Sequence, residues 1–225
     1  MRKIITILLA ITLILGMSLS VYASEDTNTG TQISGETTNI TYDQYLKVIA
    51  NEKGISIKEA KKIDQQENVV IEKKLAKKIA QLRIEGFFAI NSLATTSGTY
   101  SYVSIQRNTT YPGNRSFSAG ITATLKIYTY GSFRQICSVQ GLSSRRVSGS
   151  YNCTWIQQYS WQDPLNNQMP CASVILGAMG YFECSTTVTG GISGGLTGFQ
   201  VSATVGNTTY YQSHSLDMQT TYSVY

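Results

Sequence analysis

A single histidine, His214, serves the whole 225-residue chain, and no Cys-x-x-Cys pair occurs anywhere in it. Structural zinc needs three or four Cys or His ligands at short spacing, so a metal site is not expected. His214 alternates with Leu216 and Met218, which predicts a histidine on their apolar face rather than a catalytic base. No Gly-x-Ser-x-Gly elbow marks a serine nucleophile. The run "GGISGG", residues 190–195, lacks the Lys-Ser/Thr that a phosphate loop needs and reads as a flexible turn. Acids are just as scarce in the second half, where Asp163, Glu183 and Asp217 are the only ones between residues 98 and 225. They are the only carboxylates a hydrolase there could use. Glu183 alternates with Phe182 and Cys184, so it is expected to point outward as a surface acid. No catalytic residue and no cofactor is expected.

What is present begins with the N-terminus. Arg2 and Lys3 precede an apolar run over residues 4–16, and the small-residue triplet Val21-Tyr22-Ala23 follows. That order describes a secretory signal peptide, residues 1–23, with cleavage after Ala23. The apolar run is shorter than the ~20 residues of a spanning helix, and no later run is longer, so a secreted, extracellular chain is expected. Without the signal, sixteen Lys and Arg face thirteen acids, a net charge near +3. So mild a charge gives no argument for nucleic acid.

Three regions follow. Residues 24–40, "SEDTNTGTQISGETTNI", are polar and without period, and read as a disordered leader. Residues 41–97 turn to Lys, Glu, Ile and Ala. Thr41 with Gln44, and Ser56 with Glu59, have capping-box spacing, so two helices are predicted to start there, the first ending at Gly54. A third stretch, "VVIEKKLAKKIAQLRI", sets Ile71, Leu75, Ile79 and Leu82 on one helical stripe. Lys73, Lys74, Lys77 and Lys78 occupy its flanks and back. They offer a weak contact with an anionic membrane or wall surface, or simply a solvated face, which the interleaved Glu and Gln favour. With the linker "NSLATTSG" behind it, this helical segment reads as a propeptide or docking arm that covers the rest of the chain.

In residues 98–225 the period changes to two. Ala119, Ile121, Ala123, Leu125 and Ile127 face one way, with Thr122, Thr124 and Lys126 opposite. Phe199, Val201, Ala203 and Val205 repeat the pattern, as do Leu216, Met218, Thr220, Tyr222 and Val224. Such alternation predicts antiparallel strands covering a core on one face only. About eight runs separated by Gly, Asn, Ser or Pro give a mainly β fold, an antiparallel β-sandwich or a partly open barrel, preceded by the short helical segment.

The stretch "CTWIQQYSWQDPLNNQMPC", residues 153–171, holds both tryptophans. In a regular strand Cys153, Trp155, Gln157, Tyr159 and Trp161 share a face. Binary pattern places Cys153, Trp155 and Tyr159 in the core. Trp161, at the strand end before Asp163-Pro164, is free to form with Asn166, Asn167 and Gln168 the wall of a shallow ligand site. The alternative is a plain connection with solvated amides.

Four cysteines in an exported chain read as two disulfides, with three possible pairings. Cys137 and Cys153 lie symmetrically about Ser144-Arg145-Arg146, and Cys171 and Cys184 about Gly177-Ala178. Hairpin geometry then gives Cys137–Cys153 with Cys171–Cys184. The nested alternative is Cys153–Cys171 with Cys137–Cys184.

These features together predict a secreted, non-enzymatic, β-rich interaction protein acting at or near the cell envelope of a bacterium. Its expected ligand is a polysaccharide, because sugar faces stack on Trp and Tyr while Asn and Gln amides bind hydroxyls. The alternatives are a membrane-active toxin or bacteriocin, and a small hydrolase built on the three acids.

Overall fold

Both capping boxes form. In the computed structural model, Thr41 Oγ1 accepts from the Gln44 amide at 3.2 Å while Thr41 N donates to Gln44 Oε1 at 2.8 Å. Helix α1, Tyr42–Lys53, starts there and stops at Gly54, whose φ of 64° is the left-handed turn that ends a helix. Ser56 and Glu59 repeat the exchange, with Glu59 N donating to Ser56 Oγ and Ser56 N to Glu59 Oε2. Helix α2 then runs unbroken over Ile57–Ile84, so the third apolar stretch is the continuation of the second helix and not a separate one. No Gly or Pro lies between its ends to interrupt it.

The structure describes residues 32–84, 98–149, 152–187 and 196–225. The signal peptide with its cleavage after Ala23, the start of the leader, most of the linker and the "GGISGG" run lie outside the described residues.

Nine strands are described: β1 Gln32–Ile40, β2 Thr99–Thr110, β3 Ser118–Tyr130, β4 Phe133–Ser148, β5 Cys153–Pro164, β6 Ser173–Thr187, β7 Phe199–Val205, β8 Thr208–Ser213 and β9 Leu216–Ser223. The first sheet has the order β1-β2-β3-β4 and the second β5-β6-β8-β7, with β9 also paired to β6. β9 takes the first half of that edge of β6, from Ser173 to Gly180, and β8 takes the rest, from Glu183 to Thr187. All pairings are antiparallel. The fold is a β-sandwich, not a closed barrel. Its core joins Ile121, Ala123 and Leu125 of β3 to Val174, Leu176 and Phe182 of β6 and to Leu216 and Met218 of β9.

Three expectations need correcting. Eight strands do come from residues 98–225, but the ninth comes from the supposedly disordered leader. β1 pairs with β2 from Gln32 to Ile40. The side chains of residues 35–39 are exposed, so backbone pairing to an otherwise open edge orders this segment, and no hydrophobic period was needed.

The first sheet is also covered on both faces. Ile71, Leu75, Ile79 and Leu82 of α2 do form one stripe, and it packs on Tyr100, Tyr128, Tyr130 and Phe133 of the sheet's outer face. Lys126, on the side read as polar, is consequently only 1% exposed, paired to Asp64 of α2 at 2.5 Å. The helical segment is therefore a third layer. Lys74 and Lys78 do not simply face solvent, since their ammonium groups donate to the carbonyls of Met169 and Pro170 in the β5–β6 connection, at 3.3 and 2.5 Å. Lys73 and Lys77 are exposed. Among the described residues no helix is long and apolar enough to cross a membrane.

Neither expected disulfide pattern forms. Cys153 is bonded to Cys184, its direct cross-strand neighbour on β6, and Cys137 and Cys171 are buried thiols. The symmetry about Ser144-Arg145-Arg146 misled because no turn lies there; β4 runs straight through it to Ser148. Cys171 pairs with Ile136 through both backbone hydrogen bonds and faces the sandwich core, whereas Cys137, one residue on, faces α2. Burial holds both thiols above their ordinary pKa, Cys137 at about 12.

Candidate binding face

The regular alternation of β5 fails at one residue. Cys153, Trp155 and Gln157 oppose Cys184, Phe182 and Gly180 of β6, but the next pair is Tyr159 with Met179, which leaves Gln158 as a bulge. A bulge exchanges the two faces for every residue beyond it. On β6 the even-numbered residues Val174, Leu176, Ala178, Phe182 and Cys184 are buried in the core. Trp155, opposite Phe182, therefore faces inward. Tyr159 and Trp161, opposite Met179 and Gly177, face outward. Tyr159 is not a core residue, being 52% exposed.

The two tryptophans of one strand thus lie on opposite faces, each over a glycine. A Cβ built on Gly180 would meet the Trp155 ring at 2.5 Å, and one on Gly177 would meet Trp161 at 2.1 Å. Trp155 packs edge-on against Phe182, with ring centroids 5.0 Å apart, and its indole N–H donates to Ser144 Oγ at 2.8 Å. Trp161, half-buried by lying flat on Gly177, has Tyr159 beside it at 5.6 Å with 41° between the ring planes. The result is a shallow two-ring surface on the outside of the second sheet.

The amides expected to complete the site are elsewhere. Pro164 pairs with Val174, three residues beyond the Trp161–Gly177 pair, so the turn starts about 10 Å further along the strand. Asn166 and Asn167 sit there at φ 62° and 53°, a region that Asn tolerates better than most residues. Asn166, Asn167 and Gln168 are exposed. The structure groups Trp161 with Tyr159 and leaves the three amides at the strand end as a separate feature.

Sequence reasoning missed what else shares the outer face. Asp163 pairs with Ile175 and Asp217 with Met179, and Glu183 follows on β6 itself, so all three acids of residues 98–225 project from this side. They are spaced by four residues of β6, about 13 Å per step. A glycosidase needs two carboxyl groups within about 5–10 Å, and this spacing provides no such pair. Residues 147–225 contain no Lys or Arg, so the strands of the second sheet carry negative charge only. That last fact was legible in the sequence.

His214 also departs from expectation. It is exposed in the turn between β8 and β9, and not on the face of Leu216 and Met218. Its ring faces Gln200, with 3.4 Å between the Nε2 atoms. Around the pair is a polar hollow of about 300 Å³ lined by Gln200, Ser202, Gln212 and Ser215 among others. Among the described residues no group of His, Cys, Asp and Glu is arranged to hold a metal. No known protein family matches the chain, and neither characterised proteins nor solved structures show a similar sequence or fold.

Proposed function

We propose that the protein is a secreted binding module that lays a hydroxyl-rich polymer, a polysaccharide of the cell envelope, across the outer face of its second sheet. The observation that carries this reading is the bulge at Gln158, which turns Tyr159 and Trp161 out of the core and lays Trp161 onto Gly177. Exposed aromatic rings on a rigid sheet give a sugar face a stacking surface at little entropic loss. Trp161→Ala and Tyr159→Ala should each weaken retention on purified cell-wall polysaccharide by about tenfold, the weight of one interfacial aromatic. Because both side chains lie outside the core, melting temperatures should stay within a few degrees of the parent. Equal retention by the parent and both variants, or none by the parent, rejects the reading.

One observation favours a second reading, a membrane-active protein. Val201 and Val205 of β7 are 61% and 68% exposed, and no charged residue occurs between Glu183 and Asp217. The β7–β8 hairpin thus presents an uncharged edge with apolar residues in water. With seven residues, β7 is shorter than the roughly 9–11 of a spanning strand, so shallow insertion is the expected contact. On this reading the protein releases dye from anionic liposomes at micromolar concentration, and Val201→Asp with Val205→Asp abolishes release. Intact liposomes would retire it.

A further inference from the structure

We propose that the hollow beside His214 is the far half of the same binding site, so that the occupant is an extended, uncharged glycan lying along β6. The inference rests on the reading of Tyr159 and Trp161 as a stacking surface and adds the length, direction and charge of what they hold.

The hollow opens on the same face. Gln212 pairs with Glu183 across β6 and β8, and Gln200 with Gln212 across β7 and β8, so all three side chains share the outer side with Trp161. From Gly177, beneath Trp161, to Glu183 is six residues of one strand, about 20 Å. The two ends are joined through the bulge: Ser215 Oγ donates to the Gln158 carboxamide at 3.5 Å. The turn carrying His214 is held from below, where Tyr111 accepts from His214 N at 3.2 Å and donates to the Gly198 carbonyl at 2.8 Å. The carboxamides of Gln200 and Gln212, the hydroxyls of Ser202 and Ser215 and the His214 imidazole supply donors and acceptors together, which is what a ring bearing several hydroxyls requires.

Charge selects within that class. Asp163, Asp217 and Glu183 flank the path, and the strands around it supply no cation. A polyanion would lie against three like charges on strands that carry no Lys or Arg.

The test is calorimetric titration with β-1,4-linked N-acetylglucosamine oligomers, from dimer to hexamer. Wild-type affinity should rise with length until the chain spans both halves. In the double variant Gln200→Ala, Gln212→Ala the dimer should bind as to wild type while the hexamer binds about tenfold more weakly. Trp161→Ala should weaken every length, and a carboxymethylated hexamer should bind wild type at least about tenfold more weakly than the neutral one. A double variant that binds the hexamer as wild type does overturns the two-part site and leaves the stacking surface standing. Equal affinity for the carboxymethylated hexamer overturns the charge selection. Failure of wild type to bind any oligomer overturns this proposal together with the reading it rests on.

Discussion

Lys126→Met should destabilise the protein by about 3–5 kcal/mol, the range for removing one member of a buried ion pair. Both partners are 1% exposed, and the 2.5 Å contact joins β3 to α2. Around the ammonium the ring centroids of Tyr100 and Tyr45 stand at 4.7 and 5.8 Å, and Asn68 of α2 accepts a further hydrogen bond. Tyr42 donates to the second oxygen of Asp64 at 2.9 Å. Removing the lysine leaves a carboxylate among aromatic side chains with no cation to oppose it. The double change Lys126→Met with Asp64→Leu should recover most of the loss, since an apolar pair of similar volume carries no desolvation penalty. Denaturant unfolding measures both values. A single variant within about 1 kcal/mol of the parent would mean that water reaches the pair. Limited proteolysis then shows where the loss falls, with cleavage expected first in α2 while the sandwich stays intact.

That pair also shows where reading the sequence stopped. Short-range features were legible because their determinants lie within a few residues of one another. Thr41 with Gln44 and Ser56 with Glu59 form the predicted capping boxes, and the odd-numbered residues of β3 face the predicted core. The opposite face of β3 read as solvent-exposed because Thr122, Thr124 and Lys126 are polar. Only the docking of the two helices makes it an interior, with Tyr45 of α1 over the ammonium and Asp64 of α2, sixty-two positions from Lys126, paired to it.

The same limit applied to β1, to the disulfide and to the candidate site. β1 is ordered by a backbone edge that its own side chains do not announce. The Cys153–Cys184 bond required knowing that β5 pairs with β6 in that register. At the site, strict alternation put Trp155, Tyr159 and Trp161 on one face, and one bulged residue separated them. A trace of it was present in β6, where Gly177 and Gly180 stand three apart and so on opposite faces. Two glycines making room for two tryptophans on opposite faces imply an irregular partner strand.

Phe182→Ala should lower stability by about 3–5 kcal/mol, the cost of emptying a large aromatic from a core. Phe182 is fully buried at the meeting point of the aromatic cluster, with Trp155 at 5.0 Å, Phe117 at 5.3 Å and Tyr111 at 6.2 Å between ring centroids. No neighbour can collapse into the space easily. Trp155 is held to Ser144 by its indole N–H, and Tyr111 by its hydroxyl to Gly198. For a chain of this size the loss corresponds to a fall in melting temperature on the order of ten degrees. Trp155→Ala should cost less, about 2 kcal/mol, because its ring is only half-buried and the Phe182 contact accounts for much of its packing. Trp161→Ala should fall below about 1 kcal/mol, as a residue on the outer face does. Thermal unfolding of the three variants measures the order. If Trp161→Ala destabilises as much as Phe182→Ala, then Trp161 is a structural cover for Gly177 and not a surface held open for a ligand. If Phe182→Ala falls within about 1 kcal/mol of the parent, the cluster does not anchor the sandwich, and the bulge would have no rigid β6 from which to present Tyr159 and Trp161.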